Sequence, residues 1–338
     1  MKNLLILALL LPAFVCAQSA KKYFKQGNQK LDSSKYKEAE AFYTMAINVD
    51  PKYKNAYLKR ARARLGYGNL KDATNDLTMV ITLDPKDAEA YKERSLINKS
   101  TSVSDLDHLI ALEPKSAAAY QSRANAKYMA KDYKGCIEDY TIVLSLGKRN
   151  ANAYANRATA EDAVGDYKSA LEDYTMAISV DKVYPFARYN NRGLLRLKIK
   201  DYKGAIEDFT ASINLKPSSG DYSNRASTEM KIGAYRKAVD DYTEAIALQA
   251  NTKYVVHQFA AYPYKDRGDA KQLGGDFKGA ISDYDKAIAI YAEYGAAYSC
   301  RGDAKNHIGD KAGACVDWNA AVKFGYNLGA ENIAKYCN

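Results

Sequence analysis

Histidine is scarce in this chain. His108, His257 and His307 are the only three among 338 residues, and none stands beside another histidine or a cysteine at metal-ligand spacing. No glycine-rich phosphate loop, nucleophile elbow or zinc-protease motif is present either. The carboxylates that recur do so at a period of the chain itself, which assigns them to structure before catalysis. A non-enzymatic protein with no cofactor and no metal is expected. Prolines number seven, and after residue 20 no apolar run is long enough to cross a bilayer.

What is abundant is apolar and aromatic. Hydrophobic residues make up 47% of the chain, enough to build a core and exclude disorder, and there are 29 tyrosines. The net charge is +10, but lysines such as Lys134, Lys168, Lys203 and Lys278 alternate with Asp and Glu. That mixture reads first as a solvated surface and second as a footprint for an anionic polymer, glycan or nucleic acid.

The first residues stand apart. Lys2, an apolar run from Leu4 to Val15, and Val15-Cys16-Ala17 before Gln18 describe a secretory signal peptide over 1–17. A lipoprotein reading would use Cys16, where bulky Val15 precedes it in place of a small residue. The chain after cleavage is expected to be exported and not integral to a membrane.

The rest is periodic. A tyrosine three residues before an arginine occurs at Tyr57/Arg60, Tyr91/Arg94, Tyr120/Arg123, Tyr154/Arg157, Tyr189/Arg192, Tyr222/Arg225, Tyr264/Arg267 and Tyr298/Arg301. The steps between these arginines are 34, 29, 34, 35, 33, 42 and 34 residues, and a period near 34 marks a helical repeat array. Within 151–184, Tyr154, Ala158 and Glu161 share one helical face, and Ala170, Tyr174, Ala177 and Ile178 share another. Small residues let two antiparallel helices approach closely, and Gly165-Asp166 breaks the chain between them. Each hairpin alone leaves an apolar face that a neighbour must cover.

An aspartate recurs immediately before the second-helix aromatic, at Asp76, Asp139, Asp173, Asp208, Asp241, Asp283 and Asp317. Arginine and aspartate at one period predict a ladder of charge-assisted pairs. Two irregularities interrupt the pattern. The unit 88–116 lacks five residues around 98–104, so its hairpin turns early or its first helix is cut short. The junction before Tyr264 carries an apolar, aromatic insertion over 253–260, which lengthens a helix or forms a contact surface.

On these residues the chain resembles the tetratricopeptide repeat family, whose unit has small residues at positions 8, 20 and 27, aromatics at 4, 17 and 24, and Pro at 32. Residues 54–87 fit with Tyr57, Ala61, Ala73, Leu77 and Pro85, and 117–150 with Tyr120, Ala124, Tyr133, Cys136 and Tyr140. The units are about 20–53, 54–87, 88–116, 117–150, 151–184, 186–219, 219–252, 261–294 and 295–328. The arginine at position 7 departs from the family, which has a large apolar residue there. The resemblance implies an all-α fold, a right-handed superhelical solenoid of about nine hairpins over 18–328, with 329–338 as a capping helix closed by Ile333 and Tyr336.

The ending also resembles that of exported bacterial repeat proteins. Four cysteines outside the leader (Cys136, Cys300, Cys315 and Cys337) allow three full pairings, of which Cys315–Cys337 would staple the cap to the last hairpin. Cys136 falls at a small-residue core position and reads as a buried free thiol.

In the family, positions 2, 5, 9 and 12 of the first helices line a groove. Carried onto this chain they include Arg62, Gln121, Asn125, Tyr128, Asn152, Thr159, Asn190, Leu194, Ser223, Lys265, Asp269 and Asp303. These amides and hydroxyls suit an extended peptide. Lys265 is followed by Asp269 where the family's carboxylate clamp has Asn, so clamp binding is not supported. The expected protein is a non-catalytic scaffold for a protein or peptide partner, with no nucleic acid partner, in the periplasm or at the outer membrane of a Gram-negative bacterium, or secreted. A small-metabolite binder is the remaining alternative and requires a closed pocket.

Overall fold

The computed structural model describes residues 18–99, 101–147, 150–250 and 257–337. The leader 1–17 and residues 253–256 of the insertion lie outside the described residues. All regular structure among those described is helical, and the chain divides into two compact units, Met1–Val164 and Gly165–Asn338.

The first unit holds α1 (18–32), α2 (Tyr36–Val49), α3 (Lys54–Gly66), α4 (Leu70–Leu83), α5 (Ala88–Ile97), α6 (Ser102–Leu112), α7 (Ala117–Met129), α8 (Tyr133–Leu146) and α9 (Ala151–Val164). The second holds α10 (Tyr167–Val180), α11 (Pro185–Lys198), α12 (Tyr202–Leu215), α13 (Ser219–Lys231), α14 (Tyr235–Ala250), α15 (His257–Leu273), α16 (Phe277–Ile290), α17 (Gly295–His307), α18 (Lys311–Lys323) and α19 (Leu328–Tyr336). Within each unit, consecutive helices pack on one another and form a stack of hairpins. No described helix is long and apolar enough to cross a membrane.

The hairpin turns follow from their residues. Asn69, Asp132, Asp166, Asp201, Asp276 and Asp310 each cap a second helix by accepting the backbone N–H three residues on. The residue just before the cap takes a left-handed backbone, which glycine adopts without penalty at Gly68, Gly165, Gly275 and Gly309. Lys131 and Lys200 adopt it at φ 63° and 65° without that freedom.

Small residues set the spacing inside the hairpins. A Cβ on Gly268 would lie 2.6 Å from the Tyr284 ring, so the two helices meet there only because that atom is missing. Buried alanines bridge successive hairpins: Ala61, Ala73 and Ala90 surround Leu77 in the first unit, and Ala280 and Ala304 pack with Tyr284 in the second. Each fully buried large side chain contributes roughly 1.5–3 kcal/mol.

The charged ladder forms, and each rung has more members than the sequence pattern suggests. Arg60 is bidentate to Asp76 at 3.0 and 2.7 Å, and Arg192 to Asp208 at 2.9 and 2.6 Å. The same fork joins Arg94 to Asp105, Arg123 to Asp139, Arg225 to Asp241, Arg267 to Asp283 and Arg301 to Asp317. The remaining guanidinium nitrogen reaches back to the preceding hairpin: Arg60 to Thr44 at 3.1 Å, Arg225 to Thr210 at 2.9 Å and Arg301 to Asp285 at 2.6 Å. Apart from Arg94, whose Tyr91 stacks on His108 instead, these arginines also lie over the tyrosine three residues earlier, as Arg123 does on Tyr120 at 5.3 Å. One side chain therefore closes its own hairpin and fastens it to the one before. Arg157 shows the same backward bond, to Thr141 at 3.0 Å, and lies 3.7 Å from Glu161.

A second cation four residues on completes most rungs. Arg64, Lys127, Arg196, Lys271 and Lys305 lie 2.7, 3.0, 3.0, 2.7 and 2.8 Å from the same aspartates. Glu161 and Glu229 occupy that position in two repeats. Glu229 is 6% exposed and its Oε2 has no hydrogen-bond partner.

The irregular units resolve physically. The missing residues of 88–116 shorten both helices: α5 has 10 residues against 13 in α3, and α6 has 11 against 14 in α4. The described part of the insertion, 257–260, joins α15, a helix of 17 residues that carries Pro263 inside its first turns. At the end of the chain Tyr336 stacks on Trp318 at 5.7 Å, and Cys315 is bonded to Cys337. Cys136 is buried and Cys300 half-buried, both as free thiols.

Candidate functional site

Many of the side chains expected to line a groove are engaged within the protein. Arg62 of α3 bonds Glu93 of α5 at 2.7 Å and also meets Glu89. Asn125 accepts the Tyr140 hydroxyl, which in turn accepts from Asn156 at 2.8 Å. Thr159 returns its hydroxyl to the Ala155 carbonyl at 2.9 Å, and Tyr128 packs edge-on against Tyr133. Asn190 donates to the buried Asp221, which also accepts from Ser212 and Ser218, both at 2.9 Å. Gln121 and Ser223 are half-buried, and Asn152 and Leu194 are exposed.

The structure brings three of the expected residues together in the second unit. Lys265 donates to Asp269 at 2.6 Å, and Asp269 also accepts the Tyr284 hydroxyl at 3.0 Å. Asp303, on the next first helix, accepts from the Trp318 indole and from Asn332 of the cap, both at 2.9 Å. Position 9 of these repeats thus carries a carboxylate that anchors the second-helix aromatic, the task that Asn28 performs for Tyr43 at 2.8 Å in the first repeat.

Residues that position-by-position reasoning did not select complete the cluster. Asp266 lies 3.6 Å from Lys265, with its side chain 41% exposed. Burial pushes the Asp266 carboxyl above the usual range against the pull of Lys265. Burial also raises Asp303, against the indole's hydrogen bond. The Cys300 thiol is pushed up to about 12, first by burial and then by Asp269. Desolvation lowers the Lys265 ammonium, but Asp269, Cys300 and Asp266 together hold it above its ordinary value. Perturbed groups gathered on one surface mark a candidate site. A sequence signal existed: Phe259, Tyr262, Asp266, Asp269 and Leu273 follow helical spacing along one face of α15.

The first unit carries a different feature, located at its shortened repeat. A cavity of 360 Å³ opens between α5, α6 and α7, floored by Leu106, Leu109 and Ala119 and edged by Glu89 and Lys92. Leu96 stands at its margin, 71% exposed.

Stacked helical hairpins of this kind define a helical-repeat protein. Residues 187–219, which span α11 and α12, match the family model of the tetratricopeptide repeat. No curated protein matches the chain. Among solved structures it is similar to the APC/C hetero-tetramer Cut9–Hcn1, at 12% identity over 94% of this chain and 76% of that one, with a TM-score of 0.50. A tetratricopeptide repeat protein from Parabacteroides merdae ATCC 43184 aligns at 19% identity over 84% and 99% of the two chains, with a TM-score of 0.46. The TPR domain of P58(IPK) aligns at 17% identity over 94% and 98%, with a TM-score of 0.33. The first likeness concerns the fold alone, and it agrees with an all-helical array of tetratricopeptide-type hairpins.

Proposed function

We propose that this chain is a non-catalytic scaffold of the bacterial envelope that holds a protein or peptide partner along the first helices of its hairpins. The observation that carries this reading is the contrast within each stack. The cores and most rungs are internally satisfied, while large apolar side chains stand in solvent, among them Leu96 at 71% and Met129 at 79% exposed on first helices of one unit and Phe259 at 51% in the other. Exposed large apolar residues on a rigid support are what a partner surface requires. The leader-like residues 1–17 and the Cys315–Cys337 bond support export to an oxidising compartment.

The test is a pull-down from envelope extract at about 150 and about 500 mM salt, read by mass spectrometry. A discrete protein retained at the higher salt, and lost from a Leu96→Asp, Leu194→Asp double variant that melts like the parent, is the expected result. Recovery of nucleic acid or polysaccharide alone, released by salt, would instead make the net charge of +10 the functional feature.

A further inference from the structure

The second unit carries the chemistry to select one kind of segment. The insertion starts α15 early and sets Phe259 one turn ahead of Tyr262 at the start of the repeat. The rings of Phe259, Tyr262, Tyr294 and Tyr291 follow one another at 5.7, 5.4 and 5.6 Å, a continuous aromatic strip from α15 to the turn before α17. Further along the same face come Asp266 and Asp269. Asp266 stands one helical turn beyond Tyr262 on α15, and Lys265 links it to Asp269, so carboxylates follow the rings along the helix.

The charges on this surface do not balance. Lys265 is set against Asp266 and Asp269, which leaves the negative side in excess. Lys265 is committed to Asp269 at 2.6 Å and reaches Asp266 only at 3.6 Å. Asp303 already holds the indole and the Asn332 amide. Asp266 is the carboxylate with both a deficit of positive charge and an open side.

We infer that this strip binds a basic segment of a protein partner, with a lysine or arginine lying across the Tyr262 and Tyr294 rings and its cation on Asp266. The inference rests on the scaffold reading and narrows the class of partner. Aromatic faces attract cations, and a planar guanidinium stacks on them while bonding a carboxylate. Asp266, 41% exposed and meeting Lys265 only at 3.6 Å, is accessible to an arriving cation. A sugar would also stack on the rings and donate hydroxyls to the carboxylates, but it carries no charge to offset their excess. The whole protein carries +10, which opposes a basic peptide, so any attraction must be local.

The experiment uses the full chain and a fluorescent Gly-Ser peptide with interspersed arginines, followed by anisotropy beside the same peptide with glutamines. The arginine peptide is expected to bind about tenfold tighter or more, and Asp266→Asn and Phe259→Ala are each expected to weaken it by about tenfold. Glu138→Gln, on the first unit's surface, should leave binding unchanged. Both site variants alter partly exposed side chains, and parental melting temperatures would exclude misfolding. Equal affinity for the two peptides, or an unchanged affinity in Asp266→Asn, would overturn the inference. So would binding of maltohexaose tighter than that of the arginine peptide and lost in Phe259→Ala. If the variants still capture the same envelope protein as the parent, the basic-segment inference falls and the scaffold reading stands. If the parent captures no protein while the arginine peptide binds as expected, the scaffold reading falls alone.

Discussion

An arginine that forks onto its own hairpin and reaches back to the previous one fixes the offset between repeats as well as the pairing within them. Its carboxylate partner is the more sensitive half. Asp208 is held by Arg192 at 2.6 Å and by Arg196 at 3.0 Å, so Asp208→Ala strands two partly buried cations and should cost about 3–5 kcal/mol. Arg192→Leu leaves Asp208 with Arg196 and should cost less, about 1–2 kcal/mol. Urea unfolding of both variants checks the order, and equal losses would refute it. Glu229 is the inverse case. Burial, and then Asp241, raise its carboxyl to about 7 from 4.5, with Arg225 and Lys237 opposing and Asp240 adding to the rise. A folded pKa above the unfolded one means that the proton stabilises the fold: the contribution is complete below pH 4.5 and is lost as pH rises through about 7. Glu229→Gln should therefore melt like the parent near the acid end and higher than it above neutrality, by up to about 3 kcal/mol. Glu229→Lys, which restores the second cation of the other rungs, should stabilise at neutral pH as well. Melting curves across that range decide it, and a gain that does not grow with pH would count against a titrating Glu229.

Among the elements, the hairpin turns show where local sequence and backbone disagree. Lys131 and Lys200 hold a left-handed conformation that costs a side-chain-bearing residue roughly 1–2 kcal/mol, against roughly 0.5–1 kcal/mol of extra entropy lost by glycine. Lys131→Gly and Lys200→Gly should each stabilise by about 0.5 kcal/mol, seen as a small rise in the urea midpoint with an unchanged slope. The turns, the hairpin pairs and the Arg–Asp rungs were legible in the sequence because each recurs at the repeat period. The second cations recur at the same period, at Arg64, Lys127, Arg196, Lys271 and Lys305, yet cations near helix ends look like solvated surface until burial is known. Asp105 was missed for a different reason: the shortened unit brings it within 11 residues of Arg94, where the others are 16 apart. The candidate site was legible only in part. Asn125, Asp269 and Asp303 fall at groove positions of the repeat, but the aromatic of the second helix claims each of them, a contact that family positions do not encode.

At the scale of the whole chain, stability is a sum over hairpins and the interfaces between them, so opening begins at whichever end is least covered. The cap supplies the cover at the C-terminal end. Trp318, 1% exposed, is roofed by Tyr336, and Gly329 approaches the Trp318 carbonyl so closely that a Cβ would lie 2.8 Å from it. α19 has 9 residues, too short to be stable in isolation, so its contribution depends on being held in place. The Cys315–Cys337 bond closes a loop with a sequence separation of 22, worth about 3 kcal/mol in the chain-entropy model. Because each hairpin contacts only its neighbours, that energy should be felt in α17 to α19 and fade along the stack. Reduction, or Cys315→Ser with Cys337→Ser, is therefore expected to speed amide exchange in α17 and α18 by up to about a hundredfold while leaving α11 and α12 unchanged. Hydrogen exchange with and without reductant measures this directly. Uniform acceleration through the second unit would mean that its hairpins open as one cooperative body, and the additive account of the array would have to be given up.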